Sequence, residues 1–356
     1  MSSINLLQIG HYPTYQVFLV AVAALGVTAA LFPLWIRLVR YRNIGQQVRA
    51  DGPQGHLIKQ GTPTMGGVLI LLVIAVVYGV MGTVDRPGLL VLGATLACGL
   101  LGFIDDYAKV VKERSLGLSA GAKIAWQALV SVVVGLLAVN WAGVSDQVKV
   151  PLVGGSLDLG IVSSSISFGG LVIVVPWLYV LLVVVMVVAA SNTVNLTDGL
   201  DGLAAGTVFI VMLAFAAIAF RQNHLPISLL GAAIAGACVG FLWYNSYPAE
   251  IFMGDTGSLG LGAAIATMAV VTKTELLLPL LGGIYVIEGM SVILQVASYK
   301  LTGKRIFRMA PIHHHFEMKG WSETKVMVRF WIITGILAGL GFAMYFVGTI
   351  VARIAK

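Results

Sequence analysis

The sequence predicts an all-α polytopic membrane protein, and three observations carry that expectation. Of 356 residues, 58% are hydrophobic and 10% charged, and the mean hydropathy is +0.95, far from the profile of a soluble domain. The apolar residues fall in long unbroken runs, where a transmembrane barrel would show short alternating segments. Lysines and arginines are distributed unevenly between the connections that separate those runs. The chain reads as a single integral membrane domain over residues 1–356.

A span needs about 20 apolar residues, and ten segments meet or approach that: 17–39, 66–84, 88–103, 122–142, 171–190, 203–220, 227–244, 258–271, 276–298 and 328–351. The first run lacks a basic flank ahead of it and a cleavage site after it, so no cleavable signal peptide is expected. Pro176 should kink or break the fifth segment, because proline removes a backbone donor. The eighth is short and glycine-rich, and the tail of the ninth is free to leave the bundle. Between the fourth and fifth, residues 143–170 suggest a small strand or hairpin cap. Cys98 and Cys238 both lie in apolar runs and read as packing residues.

Alternate connections carry sixteen and six basic residues. The richer side has Arg37, Arg40, Arg42, Arg49, Lys59, Lys109, Lys112, Arg114, Lys123, Lys300, Lys304, Arg305, Arg308, Lys319, Lys325 and Arg329. By the positive-inside rule that side is cytoplasmic, which places both termini outside, in the periplasm.

The polar motifs share the basic side. After the fifth run comes Ser191-Asn-Thr-Val-Asn-Leu-Thr-Asp-Gly-Leu-Asp-Gly-Leu203, in which Asn192, Asn195, Asp198 and Asp201 recur every third residue. On a helical turn neighbouring members lie side by side, and so polar a segment between spans must face water or line a cavity. Asp105 and Asp106 end the third span, where ionisable groups are rare and usually functional. Lys109, Lys112 and Lys123 are close enough in sequence to compensate their repulsion. Asp255, between Gly254 and Gly257, reads either as a helix cap or as a ligand for a hard cation shared with substrate phosphates. Several aspartates without a cysteine cluster favour magnesium over zinc. His313, His314 and His315 are consecutive, so their side chains diverge and suit phosphate contacts better than one shared ion; Arg305 and Arg308 upstream strengthen that reading.

These features describe a cytoplasm-facing cleft with acidic metal-binding and basic anion-binding groups. Without a Walker or Rossmann pattern, nucleotide-driven pumping is not expected. A secondary transporter would place its polar breaks near the midplane in paired halves. An intramembrane aspartyl protease would need Gly-x-Gly-Asp where this chain has Met-Gly-Asp. A CDP-alcohol phosphotransferase would need further aspartates where Ala204, Ala205 and Gly206 stand.

Five motifs carry a more specific resemblance: Gly61-Thr-Pro-Thr-Met-Gly-Gly67, Phe103-Ile-Asp-Asp-Tyr107, Asn195-Leu-Thr-Asp-Gly-Leu-Asp-Gly-Leu203, Phe252-Met-Gly-Asp-Thr-Gly-Ser258 and Ala310-Pro-Ile-His-His-His-Phe-Glu317. In order and spacing, over about residues 45–330, they resemble the phospho-N-acetylmuramoyl-pentapeptide transferases. These form a branch of the polyprenyl-phosphate N-acetylhexosamine-1-phosphate transferases. The histidine run marks that branch over its N-acetylglucosamine relatives, the alternative reading.

The resemblance implies Mg²⁺-dependent transfer from UDP-N-acetylmuramoyl-pentapeptide to undecaprenyl phosphate at the inner face of the bacterial cytoplasmic membrane, yielding lipid I and UMP. It further implies a homodimer and no nucleic-acid partner. It makes Asp255 the leading Mg²⁺ ligand and Asp105, assisted by Asp106, the group that readies the lipid phosphate. Asp198 becomes either a nucleophile or a bystander to direct attack, and direct attack is favoured because a phosphate brings its own nucleophile. Asn192, Asn195, Gly199, Leu200, Asp201, Phe252 and Lys59 fall to nucleoside and substrate binding, with Phe252 stacking on uracil. Lys109 and Lys123 join the substrate-binding set. His313, a catalytic candidate, contacts phosphate or sugar with His314 and His315, supported by Asn245 and Gln295.

Overall fold

The computed structural model describes residues 12–42, 44–45, 61–111, 117–169 and 171–354. Lys59, Arg49, Lys112 and Arg114 lie outside the described residues. Among the described residues ten long helices follow the ten apolar runs. They are α1 Pro13–Tyr41, α2 Gly66–Met81, α3 Arg86–Val111, α4 Ala120–Asn140, α5 Trp177–Thr197, α6 Leu203–Arg221, α7 Leu225–Asn245 and α8 Gly254–Val271; then, after a short α9 Leu278–Leu281, α10 Gly283–Thr302; and, after a short α11 Ile312–Glu317, α12 Glu323–Ile354. Nine are long and apolar enough to cross a membrane, and α2, with 16 residues, is shorter.

Residues 256–271 of α8 are all buried. Its sequence explains how neighbours reach it. Glycine and alanine fill α8, and small residues let helix backbones approach closely where no water drives association. A Cβ on Gly102 of α3 would lie 2.2 Å from Asp255 O, one on Gly67 of α2 would lie 2.1 Å from Gly257 N, and one on Gly262 would lie 2.5 Å from Ala190 O of α5. The α3, α2 and α5 backbones therefore rest directly on α8. On the far side α7 packs against α1, where a Cβ on Gly236 would lie 2.1 Å from Ala21 O.

Two segments depart from the all-helical expectation. Residues 171–176, assigned to a span by hydropathy, form β4 Leu171–Pro176, paired antiparallel with β3 Ser163–Phe168. The run Val-Ile-Val-Val is β-branched and favours extended backbone; Pro176 then stands as N-cap of α5 in place of the expected kink. A second hairpin pairs β1 Gln147–Lys149 with β2 Ser156–Asp158, so the 143–170 connection is the hairpin cap its composition suggests. The ninth apolar run is divided by Gly282 between α9 and α10. Ile293, Val296, Tyr299 and Leu301 on the α10 tail are exposed.

The cap is pinned to the bundle. Lys273, in the left-handed region at φ 55°, donates to Ser145 O at 2.8 Å and Tyr179 Oη at 3.2 Å, and pairs with Glu275. Burial lowers the Lys273 ammonium and raises the Glu275 carboxyl relative to their ordinary values. His224 Nε2 meets Asp85 Oδ2 at 2.8 Å, tying the α2–α3 turn to the α6–α7 turn.

Candidate active site

Because successive long helices alternate in direction, one end of the bundle collects the C-termini of α3 and α5 and the N-termini of α4 and α8. The motifs within the described residues meet there; Lys59 lies outside them. Asp105, Asp106 and Asp255 bring carboxylate oxygens within 4.8 Å of one another. Lys109 Nζ lies 2.7 Å from Asp105 Oδ2, 3.2 Å from Asp255 Oδ1 and 3.6 Å from Asp106 Oδ1. Lys123 Nζ, from the first turn of α4, lies 2.9 Å from Asp105 Oδ2 and 2.7 Å from Asp255 Oδ2. Asn195 Nδ2 donates to Asp255 Oδ1 at 3.0 Å and to Ser258 Oγ at 2.8 Å.

The three aspartates have different work. Helix α3 runs past the expected end at residue 103 to Val111, so Asp105 and Asp106 project from a helix, one turn before Lys109. Asp106 accepts from Asp255 N at 3.1 Å, Thr256 N at 2.9 Å and Thr256 Oγ1 at 2.8 Å. It caps the N-terminus of α8 from another helix, satisfying amides that a helix start leaves unpaired. The N-cap position of α8 belongs to Met253; Asp255 stands inside the first turn, and its carboxylate is turned to Lys109, Lys123 and Asn195. Asp105 accepts from Leu118 N at 2.6 Å through Oδ1 and receives both ammonium groups on Oδ2.

Two motifs are fused through their main chains. Phe252 N donates to Pro63 O at 2.8 Å, while Gly66 N and Gly67 N donate to Phe252 O and Met253 O, each at 2.9 Å. The turn formers of residues 61–67 thus serve to seat the 252–258 loop, with Met65 held at φ 68°. Asp201 accepts from Ala249 N at 3.0 Å. Asn245 is committed to backbone, accepting from Gly202 N at 3.0 Å and donating to Ile251 O at 2.9 Å. Gln295 likewise holds the 306–307 backbone through three bonds. Asn192 Nδ2 donates to Gln127 Oε1 at 2.8 Å. These residues shape loops; their amides are engaged with protein.

Asn192 and Asn195 lie in the last turns of α5, and Asp198 ends it as C-cap. Burial, then the charges of Asp255, Asp106 and Asp201, hold the Asp198 carboxyl well above the ordinary aspartate range, opposed by an N–H from Gly254. Gly199, next in sequence, has no room for a side chain: a Cβ there would lie 2.5 Å from His313 Nε2 and 3.5 Å from His314 Nε2. The α11 histidines diverge as expected. His313 is fully buried with Nδ1 3.0 Å from Glu288 Oε1, His314 Nδ1 meets Glu317 Oε2, and His315 Nδ1 accepts from Arg308 N at 3.0 Å.

Sequence reading missed Glu288 and Thr256. Glu288 carried a signal: it is an ionisable residue inside an apolar run, which is a functional candidate by position alone. Thr256 stood inside the 252–258 motif, beside Asp255, without being assigned a role of its own.

A model of glycosyl transferase family 4 matches residues 88–273, and signature 1 of the phospho-N-acetylmuramoyl-pentapeptide-transferases matches residues 59–71. The enzyme of that name from Rubrobacter xylanophilus is 46% identical over 93% of this chain and 98% of its own length. The chain belongs to the phospho-N-acetylmuramoyl-pentapeptide-transferase family. Members from Desulforudis audaxviator and Corynebacterium jeikeium are 48% and 45% identical over 92% and 93% of the chain, covering 97% of each relative. In this member the glycosyl transferase match runs from the start of α3 to just past α8, and so contains the whole carboxylate and lysine cluster.

Proposed function

We propose that the chain transfers phospho-N-acetylmuramoyl-pentapeptide from its UDP-linked precursor to undecaprenyl phosphate, giving lipid I and UMP, the first membrane step of peptidoglycan synthesis. The observation that carries this is the convergence of three carboxylates and two ammonium groups at one end of a membrane bundle in a chain of this family. One substrate is a polyanion and the other a phosphate on a membrane-bound tail, so a charged seat at the mouth of apolar helices serves both.

Asp255 and Asp105, with Asp106 alongside, have the hard oxygen donors that Mg²⁺ takes, and the Asp255 carboxylate, turned to Lys109, Lys123 and Asn195, fits that role. Magnesium, when bound, would neutralise charge on the pyrophosphate and the departing UMP. The chain's own groups do the rest. Lys109 and Lys123 supply donors for phosphate oxygens, and Asp105, between them, orients the acceptor phosphate. An oxygen of undecaprenyl phosphate forms a bond to the sugar-linked phosphorus as the bond from that phosphorus to the UMP oxygen breaks. Direct transfer of this kind leaves Asp198 a nucleotide-facing group, with Asn195, Gly199, Leu200, Asp201, Phe252 and Lys59 shaping the nucleoside side.

The basic asymmetry supports a seat facing the cytoplasm with both termini outside, in the bacterial inner membrane; the family resemblance extends the proposal to a homodimer. The deciding assay is UMP release from the muramoyl-pentapeptide nucleotide with undecaprenyl phosphate and Mg²⁺. Sequential kinetics are expected. A UMP burst equal to the enzyme concentration from delipidated protein, lost in Asp198→Asn and kept in Asp105→Asn, would establish a covalent intermediate on Asp198 instead. Asp255→Asn is expected to abolish turnover in a protein that remains folded.

A further inference from the structure

Glu288 is fully buried in α10, and its Oε2 has no hydrogen-bond partner. An unpaired buried carboxylate oxygen is costly, and a carboxylate within a span is retained for a reason. Its other oxygen lies 3.0 Å from His313 Nδ1. The far nitrogen of that ring, Nε2, is also buried without a partner. It faces the backbone of Gly199, where a Cβ would lie 2.5 Å from it, and Gly199 follows Asp198 in the chain. One orphan nitrogen is thus held at the nucleotide side of the carboxylate cluster by one carboxylate behind it.

We propose that Glu288 is the positioning residue of His313: it grips the ring by Nδ1 so that Nε2 is presented to a phosphate oxygen of the nucleotide substrate beside Gly199. This rests on the transferase reading. The arrangement follows the general rule that the hydrogen bond at one imidazole nitrogen fixes what the other can do. Glu288 accepts Nδ1–H, and with Nε2 also protonated the ring donates to the phosphate while the Glu288 carboxylate stands behind it as counter-charge. The other ionisable groups facing the ring are His314, whose centroid is 4.1 Å away and which is itself held by Glu317, and Asp198 across Gly199.

The test uses the full chain in detergent with UDP-N-acetylmuramoyl-pentapeptide, undecaprenyl phosphate and Mg²⁺. Glu288→Gln keeps an acceptor for Nδ1–H and removes the charge. We expect kcat to fall about tenfold or more, as losing the carboxylate that orients a working imidazole through Nδ1 does elsewhere. The alkaline limb of the kcat profile should move to lower pH, because the imidazolium loses its counter-charge. Glu288→Asp, which keeps the charge, should restore that limb to the wild-type position at reduced kcat. In a His313→Gln background, Glu288→Gln should cost nothing further. Equal falls in both backgrounds, or one alkaline limb shared by all three Glu288 proteins, would overturn the proposal and leave Glu288 a packing residue. Wild-type protein that releases no UMP would instead remove the transferase reading on which it rests.

Discussion

At the level of single residues, identity was legible in the sequence and role was only partly so. Asp105, Asp106, Asp198 and Asp255 announce themselves as acidic groups at the ends of apolar runs, and they do converge. The division of labour depends on contacts across about 150 positions of chain, which no local pattern encodes. Asp106 stands where catalysis was expected and caps α8, while Asp255 stands where a cap was plausible and turns its carboxylate to Lys109, Lys123 and Asn195. This reversal is testable. Asp106→Ala should lower stability by about 1–2 kcal/mol, the usual loss of an N-cap, whereas Asp255→Ala should leave the unfolding midpoint near that of wild type while abolishing UMP release. Thermal unfolding in detergent beside the activity assay reads both. Equal midpoints for the two variants would return the capping role to neither residue.

At the level of elements, hydropathy located all ten long helices and misjudged their edges where a second preference competed. Residues 171–176 are apolar enough to span and β-branched enough to pair, and a neighbouring strand decides between the two. Likewise α3 continues through Asp105, Asp106 and Lys109 because these side chains pair with one another and with α8. Length and apolarity say nothing of how closely helices approach, and that spacing sets the site. Gly102→Ala would force a methyl group against Asp255 O, so a loss of about 1–3 kcal/mol is expected from overpacking, with turnover lost disproportionately because the residue displaced is Asp255. Gly93→Ala on the same helix, with nothing within 4 Å of the added carbon, is the control. Equal effects from the two substitutions would count against backbone contact as the determinant of the site.

For the whole molecule, parity does the organising. Ten alternating long helices return every second connection between them to the same end, which is why motifs separated by tens of residues could be grouped from the sequence at all. By the positive-inside rule the sixteen-to-six basic division predicts that end to be cytoplasmic, so a reporter fused after Lys356 should read periplasmic; a cytoplasmic signal would invert the assignment. The opposite end depends on Lys273. Lys273→Met leaves Glu275 buried without its cation, at a cost of about 3–5 kcal/mol, and Lys273→Met with Glu275→Leu should recover most of it. Burial already raises the Glu275 carboxyl, so the folded single variant holds that proton more tightly than the unfolded chain does. Its stability is therefore greatest below the ordinary glutamate range and falls as pH rises. A deficit that does not grow with pH would show that Glu275 finds another partner.

The seat formed by Asp105, Asp106, Asp255, Lys109 and Lys123 has a sign as well as a shape. Three carboxylates against two ammonium groups leave one negative charge facing an incoming pyrophosphate, and at these separations like charges repel with little screening. A single divalent cation reverses that sign. The electrostatics therefore predict an order of arrival, in which the nucleotide binds after a cation or together with one. Calorimetric titration of the nucleotide substrate should accordingly show weak association in chelator and a gain with Mg²⁺ that diminishes when Asp255 is neutralised to asparagine.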